Sequence, residues 1–140
     1  DVYRPLVELW SLLKTSPSAV TDDYAQQWQL LNRELDQLDP AALPEGATLP
    51  QYYYKVRERF NRTGNPLDLN FILRTCVNGI VRFNDKGEFN NSFHLSRRGM
   101  TPSRFAAAVR AWRPTLDAVT FQCCDYADTL RAARRGDLVY

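Results

Sequence analysis

The 140-residue chain has little of what would staple or anchor a protein: three cysteines, one histidine, one methionine and no run of about 18 apolar residues long enough to span a bilayer. Cys123 and Cys124 are adjacent, a poor geometry for pairing, and Cys76 sits among apolar helix positions. The thiols therefore read as small buried hydrophobes in a reducing compartment. Three Cys and the single His94 are too few ligands at these spacings for zinc, so no metal site is expected. The opening residues DVYRPLVELW lack the basic-then-apolar build of a signal peptide, and a soluble, cytoplasmic protein is expected. No internal repeat or low-complexity segment is present. What remains, 44% hydrophobic and 24% charged residues, is the composition of one globular chain able to bury its own core.

The apolar spacing is mostly helical. Val2, Leu6, Leu9, Trp10 and Leu13 form one stripe ending at Lys14, with Pro5 tolerable in a first turn. Ser16-Pro17-Ser18 breaks it, and Thr21-Asp22-Asp23 is read as the cap of a second helix carrying Tyr24, Trp28, Leu31, Leu35 and Leu38. Residues 39–50, with three prolines and a glycine, read as a loop. A third helix starts at Pro50 and buries Tyr53, Val56 and Phe60, leaving Lys55, Arg57, Arg59 and Arg62 for solvent. Within Tyr52-Tyr53-Tyr54 helical spacing turns at least one ring inward, which favours packing over base stacking. Leu69, Ile72, Leu73 and Cys76 line a fourth helix that stops at Asn78-Gly79, and Thr101-Pro102 opens a fifth, bearing Phe105, Val109 and Trp112, that Pro114 ends.

Between the fourth and fifth helices the period changes. Ile80-Val81-Arg82-Phe83 is a β-branched and aromatic run, Asn84-Asp85-Lys86-Gly87 is a turn, and Glu88-Phe89 returns, so a β-hairpin over 79–93 is expected. After Pro114, Ala118 to Phe121 and Leu138 to Tyr140 read as strands around a short helix at Asp125 to Arg135, a unit that belongs in a parallel sheet. From Arg74 to Arg113 there are eight Lys or Arg against two acids, in a chain of net charge +2. That concentration points to a polyanionic partner.

Several of these segments resemble those of one family. Asn78-Gly79-Ile80-Val81-Arg82-Phe83-Asn84 followed by Lys86-Gly87-Glu88-Phe89-Asn90 is similar to the N-G-L-x-R-x-N and R-G-E-F-N segments of the target-recognition hairpin in Dam-type DNA adenine-N6 methyltransferases, the D12 class. Tyr53-Tyr54-Lys55-Val56-Arg57-Glu58-Arg59-Phe60-Asn61 resembles that family's Y-Y-x-x-R-x-x-F-N helix. Asp1-Val2 with Leu6-Val7 resembles its D-I-N-x-x-L-I, and Phe121 to Asp128 its F-x-C-x-S-Y-A-D.

The resemblance implies a mostly α target-recognition domain with one β-hairpin, plus edge strands of an incomplete Rossmann-like methyltransferase sheet. Residues 1–14 would be the first helix after a sheet strand, 15–113 the recognition domain, and 114–140 a strand-helix-strand return to the sheet. It implies duplex DNA as partner and S-adenosyl-L-methionine as cofactor of the complete enzyme. No catalytic residue is expected in the chain, because the family's Gly-rich cofactor loop and D-P-P-Y motif match nothing within it. Alone it is expected to be inactive, the missing catalytic segments belonging to the same or another chain. Arg82 matches the arginine that reads guanine, Asn78, Gly79 and Ile80 the positions near the extruded adenine and neighbouring thymines, and Arg97 and Arg98 phosphate contacts. Val77 stands where the family carries an aromatic wedge. Asp1 matches the acid on the cofactor ribose, and Asp125 and Tyr126 the region around the cofactor adenine. A short site such as GATC follows.

The residues also support plainer roles. Arg82, like Arg97, Arg98, Arg104 and Arg110, would serve on a merely solvated basic face, His94 has no partner for catalysis, and Asp128 suits a helix start. A stand-alone DNA-binding module and a helical protein-interaction domain remain as alternatives.

Overall fold

The computed structural model describes residues 1–38 and 50–139; the expected 39–50 loop lies almost wholly outside the described residues. Six α-helices occur among them: α1 Arg4–Thr15, α2 Pro17–Gln37, α3 Gln51–Thr63, α4 Pro66–Thr75, α5 Pro102–Asp117 and α6 Tyr126–Leu130. None is long and apolar enough to cross a membrane.

The middle of the molecule is α4, which packs against α1, α2 and α3. Asn65 starts it, its side-chain oxygen accepting from Leu67 N at 2.8 Å, with Pro66 in the first turn. Leu69, Phe71 and Ile72 point to different sides of this ten-residue helix and all are buried, which only a helix surrounded by others accommodates. Tyr24 of α2 meets Phe105 of α5 edge to face at 4.6 Å, and its hydroxyl donates to Met100 O at 2.6 Å. Burial pushes that phenol's pKa up to about 12. The chain thus leaves the most buried helix directly into the 77–93 segment.

The expected sheet component is absent: no strand forms among the described residues. In the 79–93 region there are only two isolated antiparallel bridges, Cys76 with Phe93 and Phe83 with Phe89. Between them the outgoing arm has six residues, 77–82, and the return arm three, 90–92, so a continuous ladder has no register. The surplus is taken up by a 3₁₀ turn, Val77–Gly79, with Asn78 at φ 56° and Gly79 at φ 65°. Asn91 replaces the missing ladder bonds, its side-chain nitrogen donating to Val77 O and Ile80 O, both at 2.9 Å. The segment is a two-armed loop, and the β-hairpin expectation is corrected accordingly.

The expected strands at 118–121 and 138–140 do not form among the described residues either. Their backbone groups meet side chains or single contacts: Lys14 Nζ donates to Val119 O at 2.8 Å and to Asp117 O at 3.2 Å. Asp1 N donates to Gln122 O at 3.2 Å, and Cys124 N donates to Asp1 O at 3.1 Å, with no further pairing beside them. A strand without a neighbour has no ladder to stabilise it. The helix expected over 125–135 shrinks to five residues, because it buries no side chain against the core. Three boundaries also move: α4 ends at Thr75, short of Asn78-Gly79, with Cys76 already in extended backbone. Helix α2 starts at Pro17, so Thr21 to Asp23 lie inside it, and α5 runs through Pro114 to Asp117. Cys76 is buried as expected, whereas Cys123 is exposed and Cys124 half-buried.

Candidate nucleic-acid interface

The loop between α4 and α5 owes its shape to asparagines. At the tip Asn84 Oδ1 accepts from Lys86 N at 3.0 Å and from Glu88 N at 2.9 Å, while Gly87 N, at φ 75°, donates to Asn84 O at 2.9 Å. Phe83 and Phe89 face each other at 6.1 Å, and Tyr3 closes on Phe83 at 5.5 Å. The return arm lies along α3, where Tyr53, Arg57 and Asn61 repeat every four residues on one face. Tyr53 Oη donates to Asn91 O at 2.9 Å, Arg57 donates to Asn90 O and Asn91 O at 3.3 and 3.1 Å, and Asn61 bonds Phe89. Burial raises the Tyr53 phenol. Tyr53 is wholly buried and Tyr52 stands edge to face with Phe71 at 5.8 Å, the packing role expected of these rings.

With the return arm anchored, the outgoing arm faces solvent. Val77 is half-buried at its foot; Asn78, Gly79, Ile80, Val81 and Arg82 are exposed, Ile80 by 55%. No ion pair engages Arg82 among the described residues.

Beside the 3₁₀ turn lies a groove of about 600 Å³ lined by Arg74, Asn78, Gly79, His94, Arg97 and Arg98. The expected residues Asn78, Gly79, Arg97 and Arg98 thus converge, while Ile80 and Arg82 stand further out on the arm. Arg98 pairs with Asp36 of α2 through one terminal nitrogen, which also lies 3.4 Å from Asn32 Oδ1. Arg97 makes no ion pair among the described residues. Among the described residues the His94 ring hydrogen-bonds only Ser96, at 3.3 Å, with no third group to orient it for catalysis.

The groove also contains a residue that sequence reasoning passed over. Arg74 lies over the Phe105 ring at 4.1 Å and donates to Asn70 Oδ1 at 2.9 Å. Burial lowers its pKa, so a neighbouring anion is favoured. A basic residue in the last turn of a helix is ordinary dipole complementation, and nothing local distinguished this one.

The three residues expected around a cofactor separate. Asp1 and Tyr126, the latter 75% exposed, line an open groove of about 980 Å³ together with Thr129, Leu130, Leu138 and Val139. Asp125 instead caps α6, its Oδ1 accepting from Ala127 N at 2.8 Å. No group of three metal-ligating side chains occurs among the described residues.

A family model described as D12 class N6 adenine-specific DNA methyltransferase matches residues 1–140. The chain belongs to this family. It is 25% identical over 144 residues to a DNA adenine methylase of Haemophilus influenzae and 28% identical over 144 residues to one of Salmonella typhi. A DNA adenine methylase of Serratia marcescens is 28% identical over 149 residues. All of this chain is covered in each alignment, against 44%, 45% and 47% of those relatives, so it spans less than half their length. These 140 residues present a solvent-facing arm on a buried helical base, beside a groove of arginines.

Proposed function

We propose that this chain recognises duplex DNA for a D12-class adenine-N6 methyltransferase, residues 15–113 forming the recognition unit. The observation that carries this is the pairing of Arg82, whose side chain no ion pair engages among the described residues, on an arm whose partner, the return arm, is anchored to α3, with the arginine-lined groove at the foot of the same arm. A guanidinium held out on a fixed backbone grips guanine O6 and N7 together. Asn78 offers an amide to an unpaired base edge, Ile80 an apolar contact for a thymine methyl, and Val77 a small wedge at the arm's foot. Arg74, Arg97 and Arg98 supply charge for phosphates; Arg98 uses one terminal nitrogen on Asp36 and keeps its other donors. A short palindrome such as GATC fits a single base-reading arginine per arm.

S-adenosyl-L-methionine supplies the methyl group in this reading. The residues along the second groove fit its adenosine end, with the Asp1 carboxylate suited to a ribose diol and Tyr126 and Leu130 to an adenine face.

A duplex titration tests the proposal. GATC duplex should bind more tightly than a scrambled duplex, with affinity falling steeply as salt rises. Arg82→Ala should abolish the preference, worth about 1–3 kcal/mol for one bidentate base contact, while salt-sensitive binding to both sequences persists. Equal loss on both duplexes would remove the base-reading role, and no binding above background would leave a helical protein-interaction domain.

A further inference from the structure

The outgoing arm is short of partners, and what holds it in place is reached through the return arm. Phe83 and Phe89 oppose each other in an antiparallel bridge whose flanking bonds are Asn84 N to Glu88 O at 2.9 Å and Asn90 N to Arg82 O at 3.0 Å. That makes Phe83 and Phe89 a pair with no hydrogen bonds between them, so the N–H and C=O of Phe89 point away from the outgoing arm. Such an edge normally needs another strand. Here the Asn61 side chain takes that place: its Oδ1 accepts from Phe89 N at 2.8 Å and its Nδ2 donates to Phe89 O at 3.1 Å. A carboxamide carries a donor and an acceptor in one plane, as a peptide group does, and so imitates one residue of a neighbouring strand.

We propose that Asn61 is a positioning residue for base reading, fixing the register of the return arm and through it the backbone of Arg82. The proposal rests on the recognition role of Arg82 given above. Asn61 is itself on the exposed part of α3, and both of its hydrogen-bonding groups are used on Phe89. The neighbouring tethers are weaker substitutes, since Arg57 and Tyr53 hold Asn90 and Asn91, one and two residues further from the Phe83 bridge. Packing of Phe60 against Phe89 at 6.2 Å holds the ring but does not fix the hydrogen-bonding direction of its backbone. Loss of the Asn61 clamp leaves Phe89 free to rotate about the arm axis, and Asn90 N then no longer pins Arg82 O.

The test is the ratio of affinities for GATC and scrambled duplex, measured on the 140-residue chain. This ratio does not depend on the fraction of protein folded, because unfolding lowers both affinities alike. Asn61→Ala should lower it at least about fivefold, the small end of what one bidentate base contact supplies. Asn61→Asp keeps the acceptor for Phe89 N but sets a carboxylate oxygen against Phe89 O, so it should lower the ratio no less than Asn61→Ala. Glu58→Gln, on the same helix and exposed, should leave the ratio unchanged. Hydrogen exchange at the Phe89 and Asn90 amides should speed up in Asn61→Ala and not in Glu58→Gln. A ratio unchanged in Asn61→Ala, with the wild-type chain discriminating, would overturn the positioning role. A wild-type chain that does not discriminate would overturn the recognition reading beneath it.

Discussion

Several single residues carry more than their side-chain type suggests. Arg59, on what looks like a solvent face of α3, makes a two-point contact with Asp68: Nε to Oδ2 at 2.7 Å and NH2 to Oδ1 at 2.5 Å. The Asp68 side chain is only 2% exposed, and the planar fork of the guanidinium satisfies both of its oxygens. Hydrogen bonding to Asp68 raises the Arg59 pKa further. Asp23 lies on the margin of the same cluster, its Oδ2 accepting from Gln27 Nε2 at 2.7 Å. Desolvation raises its pKa above the ordinary carboxyl value, a shift that the Gln27 bond only partly opposes and the Asp68 charge adds to. A carboxyl with a raised folded pKa favours the fold while protonated, and that contribution is lost as the pH climbs through the folded pKa. Asp23→Asn keeps the acceptor without the charge. It should therefore raise the melting temperature at pH 7, with the gain shrinking as the pH falls towards about 4. Melts of both proteins across that range check this, and a gain independent of pH would show that the charge of Asp23 is not the cause.

Among the elements, α4 and the loop it launches depend on close approach. Gly99 sits where the chain returns beneath α4, at φ 80°. A Cβ there would lie 3.0 Å from Thr75 Cγ2, 3.2 Å from Arg74 O and 3.2 Å from the Tyr24 hydroxyl. Neither the backbone carbonyl nor the hydroxyl, which is bonded to Met100 O, has room to yield. Gly99→Ala should cost about 1–3 kcal/mol from the left-handed backbone and the crowding together. Chemical denaturation measures this, and a loss below about 0.5 kcal/mol would mean that the loop shifts freely. Gly99 also lies in the wall of the arginine groove, beside Arg74, Arg97 and Arg98. The arm opposite Arg82 is likewise governed by side chains in place of a ladder, since six residues against three leave no register to pair.

Across the whole molecule the burial is unequal. One core joins α1 to α5 with the return arm, through residues from Leu9 to Leu116, whereas no described residue after Leu116 is buried. Trp10 stacks on Phe121 at 5.9 Å, and Lys14 holds Val119 O; these few contacts dock the segment after α5. Hydrogen exchange should follow: amides of α4 slowest, close to global unfolding, and those of residues 122–139 fast throughout. Equal protection in both regions would contradict this picture of one dense core with a lightly held extension.

How much of this was legible beforehand follows the range of the interaction concerned. Helical spacing, the Ser16-Pro17 break, the Thr101-Pro102 start and the left-handed Asn78-Gly79 turn are decided by neighbours three or four residues apart, and the sequence by itself determined them. The family segments and the crowding of positive charge between Arg74 and Arg113 are equally local to read. Strand pairing was decided elsewhere. Ile80 to Phe83 has every β-forming trait, yet pairing needs a partner in register, and the count of residues between Cys76 and Phe83 against those between Phe89 and Phe93 forbids it. Tertiary structure alone turned Arg59 into a core ion-pair partner, Arg98 towards Asp36, Arg74 over Phe105 and Asn61 into a stand-in strand. A charge or an amide on a helix looks the same in sequence whether it meets water or a residue 28 positions away, because only chain closure brings the second group within reach.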